Sequence, residues 1–315
     1  MRITLILTLV LSACLISAVE PFDLQAEIDA ACNGCTVIVP PGVHVCEEPV
    51  IIASNDVWQK VVTIEGAGHG HLGMADKQGG YQWTEPFFSR WGVFGSVLRC
   101  EIVLQRGTYP GGTTPKLYIR DLSLVGFGSG VAIDYGDGVY MFPEGSIEDV
   151  SIGNYDIGIR LRRSYYMSID DVSMAGVGIG LQNIDSNIIT VSGLNIVACG
   201  TGLDVTGNAN SYNGGSVQAC GLGMRFGGFG STLTGFYFEQ TAAALDVPGR
   251  GNVILGNYYA GNAGAITISG HNNHVLMSEM VTPVILTGNY NRVSLSAYGS
   301  CNDSGFRNVC ERLYP

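Results

Sequence analysis

Short apolar runs punctuated by glycine recur along the chain, and apolar and polar residues alternate within each run. Asp156-Ile-Gly-Ile-Arg-Leu161, Gly176-Val-Gly-Ile-Gly-Leu181, Gly200-Thr-Gly-Leu-Asp-Val205, Gly221-Leu-Gly-Met-Arg-Phe226, Ala242-Ala-Ala-Leu-Asp-Val247 and Ala263-Gly-Ala-Ile-Thr-Ile268 align. Their equivalent apolar positions are Ile159, Ile179, Leu203, Met224, Leu245 and Ile266, at intervals of 20, 24, 21, 21 and 21 residues. A second series lies between them, including Ile147-Glu-Asp-Val-Ser-Ile152, Ile169-Asp-Asp-Val-Ser-Met174, Leu233-Thr-Gly-Phe-Tyr-Phe238 and His274-Val-Leu-Met277. Each repeat therefore holds at least two short strands and leaves no room for a helix. Period-two alternation is the pattern of a half-buried strand. A single coil cannot bury its own inward face, but stacked coils can, pairing in parallel at about 4.8 Å per step. The pattern predicts an all-β solenoid, a right-handed, single-stranded parallel β-helix. Leucine-rich repeats have similar length, but their asparagine-centred consensus is missing, and a propeller blade is about twice as long.

Stacking puts like residues above like. Cys199 and Cys220 occupy matching Ala-Cys-Gly positions, as a thiol column or a disulfide. Asn252, Asn272 and Asn291 suggest an asparagine ladder, and Asp121, Asp149 and Asp171 repeat as turn residues. Asp23 to Cys32 reads as a capping helix, with Asp23 as N-cap and Leu24, Ile28 and Ala31 on one face. The expected layout is a cap over 19–35 and coils over 36–300, with an irregular insertion at about 69–115. A tail over 301–315, tied by Cys301 and Cys310, covers the far end.

Arg2 followed by the apolar run Ile3–Val19 fits a signal peptide cleaved after Ala18. The alternative is a lipoprotein signal ending at Cys14 in Leu-Ser-Ala-Cys. No later segment is long and apolar enough to span a membrane. Without residues 1–18, 15 basic residues face 27 acidic ones, a net −12. That balance disfavours nucleic acid as a partner. Eight cysteines remain, Cys32, Cys35, Cys46, Cys100, Cys199, Cys220, Cys301 and Cys310, an even set that fits disulfides in an exported chain. Gly at 45 of 315 residues and only 14 % charged residues suit strands and tight turns rather than helices.

The cap helix, then Val37-Ile-Val-Pro-Pro-Gly42, Val61-Val-Thr-Ile-Glu-Gly66 and Gly95-Ser-Val-Leu-Arg99, resembles the opening of pectate-lyase-like β-helix proteins. The resemblance covers about residues 22–300 and implies the fold. It implies no particular activity, because the superfamily hosts many chemistries. The polygalacturonase motifs are present only as fragments, Asp170-Asp171 and Gly270-His271, and the arginine and Asp-His motifs of calcium-dependent pectate lyases are absent.

Residues following the inward apolar column face outward: Arg160, Gly180, Asp204, Arg225 and Asp246. Asp204 and Asp246 fall two coils apart, roughly 9–10 Å, near the carboxyl separation of about 6.5–9.5 Å in inverting glycosidases. A surface charge ladder centred on Arg225 is the competing expectation, and Arg225 would lower the acids' pKa values. Trp83, Phe87 and Trp91 lie in an aromatic stretch that breaks the repeat, where rings can stack on sugars. Tyr237 is a further sugar-stacking candidate, with Tyr258 and Tyr259 beside it. No metal site is predicted: His69/His71 and His271/His274 lack acidic neighbours, and Asp134 with Asp137 is a weak calcium loop. No cofactor is expected. The sequence points to a secreted, or surface-anchored, β-helix that binds polysaccharide or cell-surface glycan or builds an extracellular or virion appendage without catalysis. The alternative is a polysaccharide-active hydrolase, lyase or epimerase with an unfamiliar site. β-Helix fibres are often trimers, but no trimer seam is marked here.

Overall fold

A computed structural model describes residues 22–54, 59–68, 95–106, 114–139, 141–262, 264–280, 283–295 and 300–312. The chain is a right-handed parallel β-helix. Its strands form a 15-stranded and an 11-stranded sheet, with every strand pair parallel. One helix, Leu24–Ala30, covers the N-terminal end, capped by Asp23, whose carboxylate accepts from the Ala26 N–H. Leu24 and Ile28 are buried against the first coils, and Lys60 donates to the Ile28 and Ala31 carbonyls that close the helix.

Inward columns fill the solenoid. On the shorter sheet Ile133, Ile159, Leu181, Leu203, Met224, Leu245 and Ile266 are buried. The register pairs Ile159 with Leu181 and Leu181 with Leu203, so Ile179 does not belong to this column as the sequence suggested. Gly176-Val-Gly-Ile-Gly-Leu181 contains two overlapping glycine–apolar units, and tertiary stacking selects the second. The steps become 22, 22, 21, 21 and 21, then shorten to 18 (Ile266 to Val284) and 17 (Val284 to Cys301).

The strands of the longer sheet bend sharply partway. Asp121, Asp149, Asp171, Gly193, Gly214 and Gly235 all have positive φ there, where Asp and Gly are tolerated best. Asp171 is thus a repeating turn residue. A second set of turns is held by a largely buried ladder that includes two of the three predicted asparagines, Asn252 and Asn291: Asn210, Ser231, Asn252, Asn273, Asn291 and Asn308. Each accepts a backbone N–H from the preceding coil at 2.8–3.1 Å. Asn273, not Asn272, is the member; Asn272 is exposed with φ 57°.

Four disulfides join Cys32–Cys35, Cys46–Cys100, Cys199–Cys220 and Cys301–Cys310. The third links neighbouring coils. Within the expected insertion, Ser96–Arg99 and Ile102–Gln105 are regular strands, one in each sheet. Residues 301–312 add one strand to each sheet, so the tail is a last, shorter coil. No helix among the described residues is long and apolar enough to cross a membrane.

Candidate functional site

On the outer face of the shorter sheet the register aligns Asp134, Arg160, Gln182, Asp204, Arg225, Asp246 and Thr267. Gln182, not Gly180, stands between Arg160 and Asp204, a consequence of the two-residue register correction. The N-terminal end of this column is an ion cluster. Asp134, only 7 % exposed at its side chain, accepts from both Arg160 and Arg162, the latter at 2.9 Å. Its hydrogen bond and charge hold the Arg160 guanidinium's pKa above the ordinary value. Two guanidiniums occupy the carboxylate of this weak calcium-loop candidate. No group of three or more metal-ligating side chains occurs among the described residues.

The C-terminal end is looser. Arg225 Nε lies 4.0 Å from Asp246 Oδ2, with Arg225 exposed and Asp246 half-buried. The charge ladder expectation had Arg225 lowering its neighbours' pKa values, but Asp246 shifts the other way. Desolvation raises its pKa, and the Arg225 charge offsets this only in part. Asp204 Oδ1 is a buried atom with no hydrogen-bond partner. The column therefore brings the three predicted residues together, with one acid biased toward its protonated form.

The outer face of the longer sheet carries a second ordered surface, absent from the sequence reading. One rank is Ser146, Ser168, Thr190, Ser211 and Thr232; beside it runs Glu148, Asp170, Ser192, Asn213 and Thr234. Hydroxyls and carboxamides bond along and between the ranks: Asn213 Nδ2 to Ser211 Oγ at 2.8 Å, Thr234 Oγ1 to Asn213 Oδ1 at 2.7 Å, and Thr232 Oγ1 to Ser211 Oγ at 3.2 Å. Across the bend, Ser173, Asn195 and Ser216 lead in register to Tyr237, which is half-buried. The sequence signal was present as Ser/Thr-x-polar at one place in each coil. Trp83, Phe87, Trp91, His69, His71 and the signal segment lie outside the described residues. His271 Nδ1 accepts the Asn289 N–H at 3.0 Å, a coil-to-coil bond.

These features define a right-handed parallel β-helix with polar outer columns, the fold that the sequence resemblance implied. No family model matches the sequence, and no curated protein matches it. Among solved structures, a lidless DFA-IIIase from Arthrobacter chlorophenolicus A6 in complex with GF2 aligns with TM-score 0.58 at 13 % identity. That alignment covers 91 % of this chain and 87 % of that one. A mutant DFA-IIIase from the same organism in complex with DFA-III aligns with TM-score 0.55 at 11 % identity, over 90 % and 79 %. An alginate lyase from Paenibacillus sp. str. FPU-7 aligns with TM-score 0.47 at 14 % identity, over 91 % and 94 %. At these identities the likeness shows the fold.

Proposed function

We propose that this protein is an extracellular β-helix that binds glycan chains along the outer face of its longer sheet, without catalysis. The observation that carries the reading is the pair of polar ranks. Five successive coils present hydroxyl, carboxamide or carboxylate groups in register, at about 4.8 Å per coil. A polymer of hydroxylated rings lying along the solenoid axis meets a donor or acceptor at every step. Tyr237 supplies a ring near the end of the array. Four disulfides suit an oxidising compartment. DFA-IIIase, which shares the fold, is seen with GF2 and with DFA-III bound. A glycan array followed by a product assay tests the reading. Binding is expected without new reducing ends or unsaturated products, and Ser192→Val with Asn213→Val should weaken it at least tenfold. Binding unchanged in that double variant, or turnover of a bound glycan, would overturn it.

A second reading rests on the acid column. Asp246, with its raised pKa, would act as general acid and Asp204 as base, roughly 9–10 Å apart by coil spacing. Turnover of any hit that Asp246→Asn abolishes would establish it.

A further inference from the structure

The turns held by the asparagine ladder follow one motif in six consecutive coils: Gly-x-x-Asn, with Ser231 once replacing Asn. Its copies are Gly207-Asn-Ala-Asn210, Gly228-Phe-Gly-Ser231, Gly249-Arg-Gly-Asn252, Gly270-His-Asn-Asn273, Gly288-Asn-Tyr-Asn291 and Gly305-Phe-Arg-Asn308. The two outer positions are fixed by packing. A Cβ on Gly228, Gly270, Gly288 or Gly305 would sit 1.6–1.8 Å from the carbonyl oxygen of the glycine one coil before. The Asn side chains form the buried ladder. The two middle positions turn outward, making a convex ridge about 24 Å long at the usual strand spacing.

The second middle residue is always left-handed: Ala209, Gly230, Gly251, Asn272, Tyr290 and Arg307 have φ between 53° and 64°. The same turn upstream places Tyr166 and Ile188 at 58° and 59°. Glycine would satisfy this backbone freely, and a bulky or β-branched residue there is strained. Tyr166, Ile188 and Tyr290 are nevertheless kept, and they are exposed along with Phe229 and Phe306. Strain plus exposed apolar surface is costly twice over, and such outliers mark used surfaces.

The ridge has its own charge. Its twelve middle positions hold Arg250, Arg307 and His271 and no acid, on a chain with 27 acids and a net charge of −11. Each guanidinium lies over a ring: Arg250 is 5.0 Å from Phe229, and Arg307 is 5.0 Å from Phe306 and 5.9 Å from Tyr290. Tyr290 and Phe306 meet edge to face at 5.8 Å.

We propose that this Gly-x-x-Asn ridge is a second binding strip, and that its ligand is an anionic glycan chain bearing carboxylate or sulfate groups. It extends the glycan-binding reading to another surface and names a chemical class. A convex strip cannot enclose a small molecule, but an extended chain can lie along it. Sugar faces stack on Phe229, Tyr290 and Phe306, and acidic groups pair with the guanidinium forks of Arg250 and Arg307.

The test uses the full secreted chain on one backbone in three forms: dextran, carboxymethyl dextran and dextran sulfate, with phosphatidylglycerol vesicles alongside. Binding to one or both anionic forms is expected at least tenfold above plain dextran, weakening with salt. Arg250→Gln with Arg307→Gln, and separately Phe229→Ala with Phe306→Ala, should each lower it tenfold or more with an unchanged melting curve. Equal binding of all three dextrans, binding to vesicles only, or undiminished binding by both ridge variants would overturn the ridge proposal. If the ridge variants bind normally while Ser192→Val with Asn213→Val does not, the ridge falls and the glycan reading stands. If no glycan binds at all, both fall.

Discussion

Asn252 is a sharp test of what holds the coils in register. Its side chain is fully buried. Oδ1 accepts the Ser231 N–H at 3.0 Å, and Nδ2 donates to the Gly228 carbonyl at 3.1 Å. In Asn252→Ala the Ser231 N–H is left without a partner inside a turn that water does not reach, since Ser231 is also fully buried, whereas the Gly228 carbonyl keeps the Arg250 N–H at 3.1 Å. An unsatisfied buried N–H costs about 1–3 kcal/mol and a lost ordinary hydrogen bond about 1 kcal/mol, so the variant should lose about 3 kcal/mol. The neighbouring Asn272 is exposed and left-handed. Asn272→Ala gives up only a local backbone preference, about 1 kcal/mol. Urea unfolding of both variants at unchanged m-value measures the difference. If Asn252→Ala costs no more than Asn272→Ala, the ladder is not what fixes the turns, and the glycine column alone must do so.

Gly270→Ala puts a Cβ 1.6 Å from the Gly249 carbonyl oxygen; the yield of folded protein should collapse, and an ordinary yield with a wild-type melt would refute the close-packed turn. Cys199→Ser with Cys220→Ser opens a 21-residue separation and should cost about 3 kcal/mol by loop entropy, read by thermal unfolding against the wild type without reductant. Asp246 carries a raised folded pKa. Its penalty is absent below the unfolded carboxylate value and grows as pH rises through the folded one. The stability of wild type relative to Asp246→Asn should therefore improve on acidification from neutral pH, and a flat or opposite difference in paired melts would contradict the desolvated setting of Asp246.

The solenoid was readable because its period is carried by glycine-flanked apolar positions that need no partner information to recognise. The errors fell where two alignments were locally equivalent. Gly176–Leu181 offers two glycine–apolar units, and Asn272-Asn273 offers two ladder candidates; only the neighbouring coils decide between them. The last coils shorten to 18 and 17 residues, which hides the Gly-x-x-Asn motif from a search at fixed period. The three acid-column residues were found because strand alternation gives the outward face directly. The direction of the Asp246 shift was not, because desolvation depends on how Arg225 and the neighbouring coils cover the carboxyl, and sequence shows only the opposite charge.

The same geometry separates stability from binding in this fold. Inward apolar residues, turn glycines and ladder asparagines are each pinned by the coil above and below, so their substitution is felt as lost stability. Outward positions on the longer sheet and the middle pair of each turn touch mainly one another and solvent, through bonds such as Asn213 to Ser211 and Asn289 to His271 and through the stacking of Arg250 on Phe229. If the ridge and the polar ranks are binding surfaces, affinity and melting temperature must vary independently across the two classes of position. Phe229→Ala with Phe306→Ala should then change affinity and leave the melt alone, whereas Asn252→Ala should do the reverse at temperatures where the variant remains folded. A ridge variant that lost both together would mean that its aromatic and arginine residues are structural, and that the left-handed strain at Tyr290 and Arg307 is offset by packing rather than kept for a ligand.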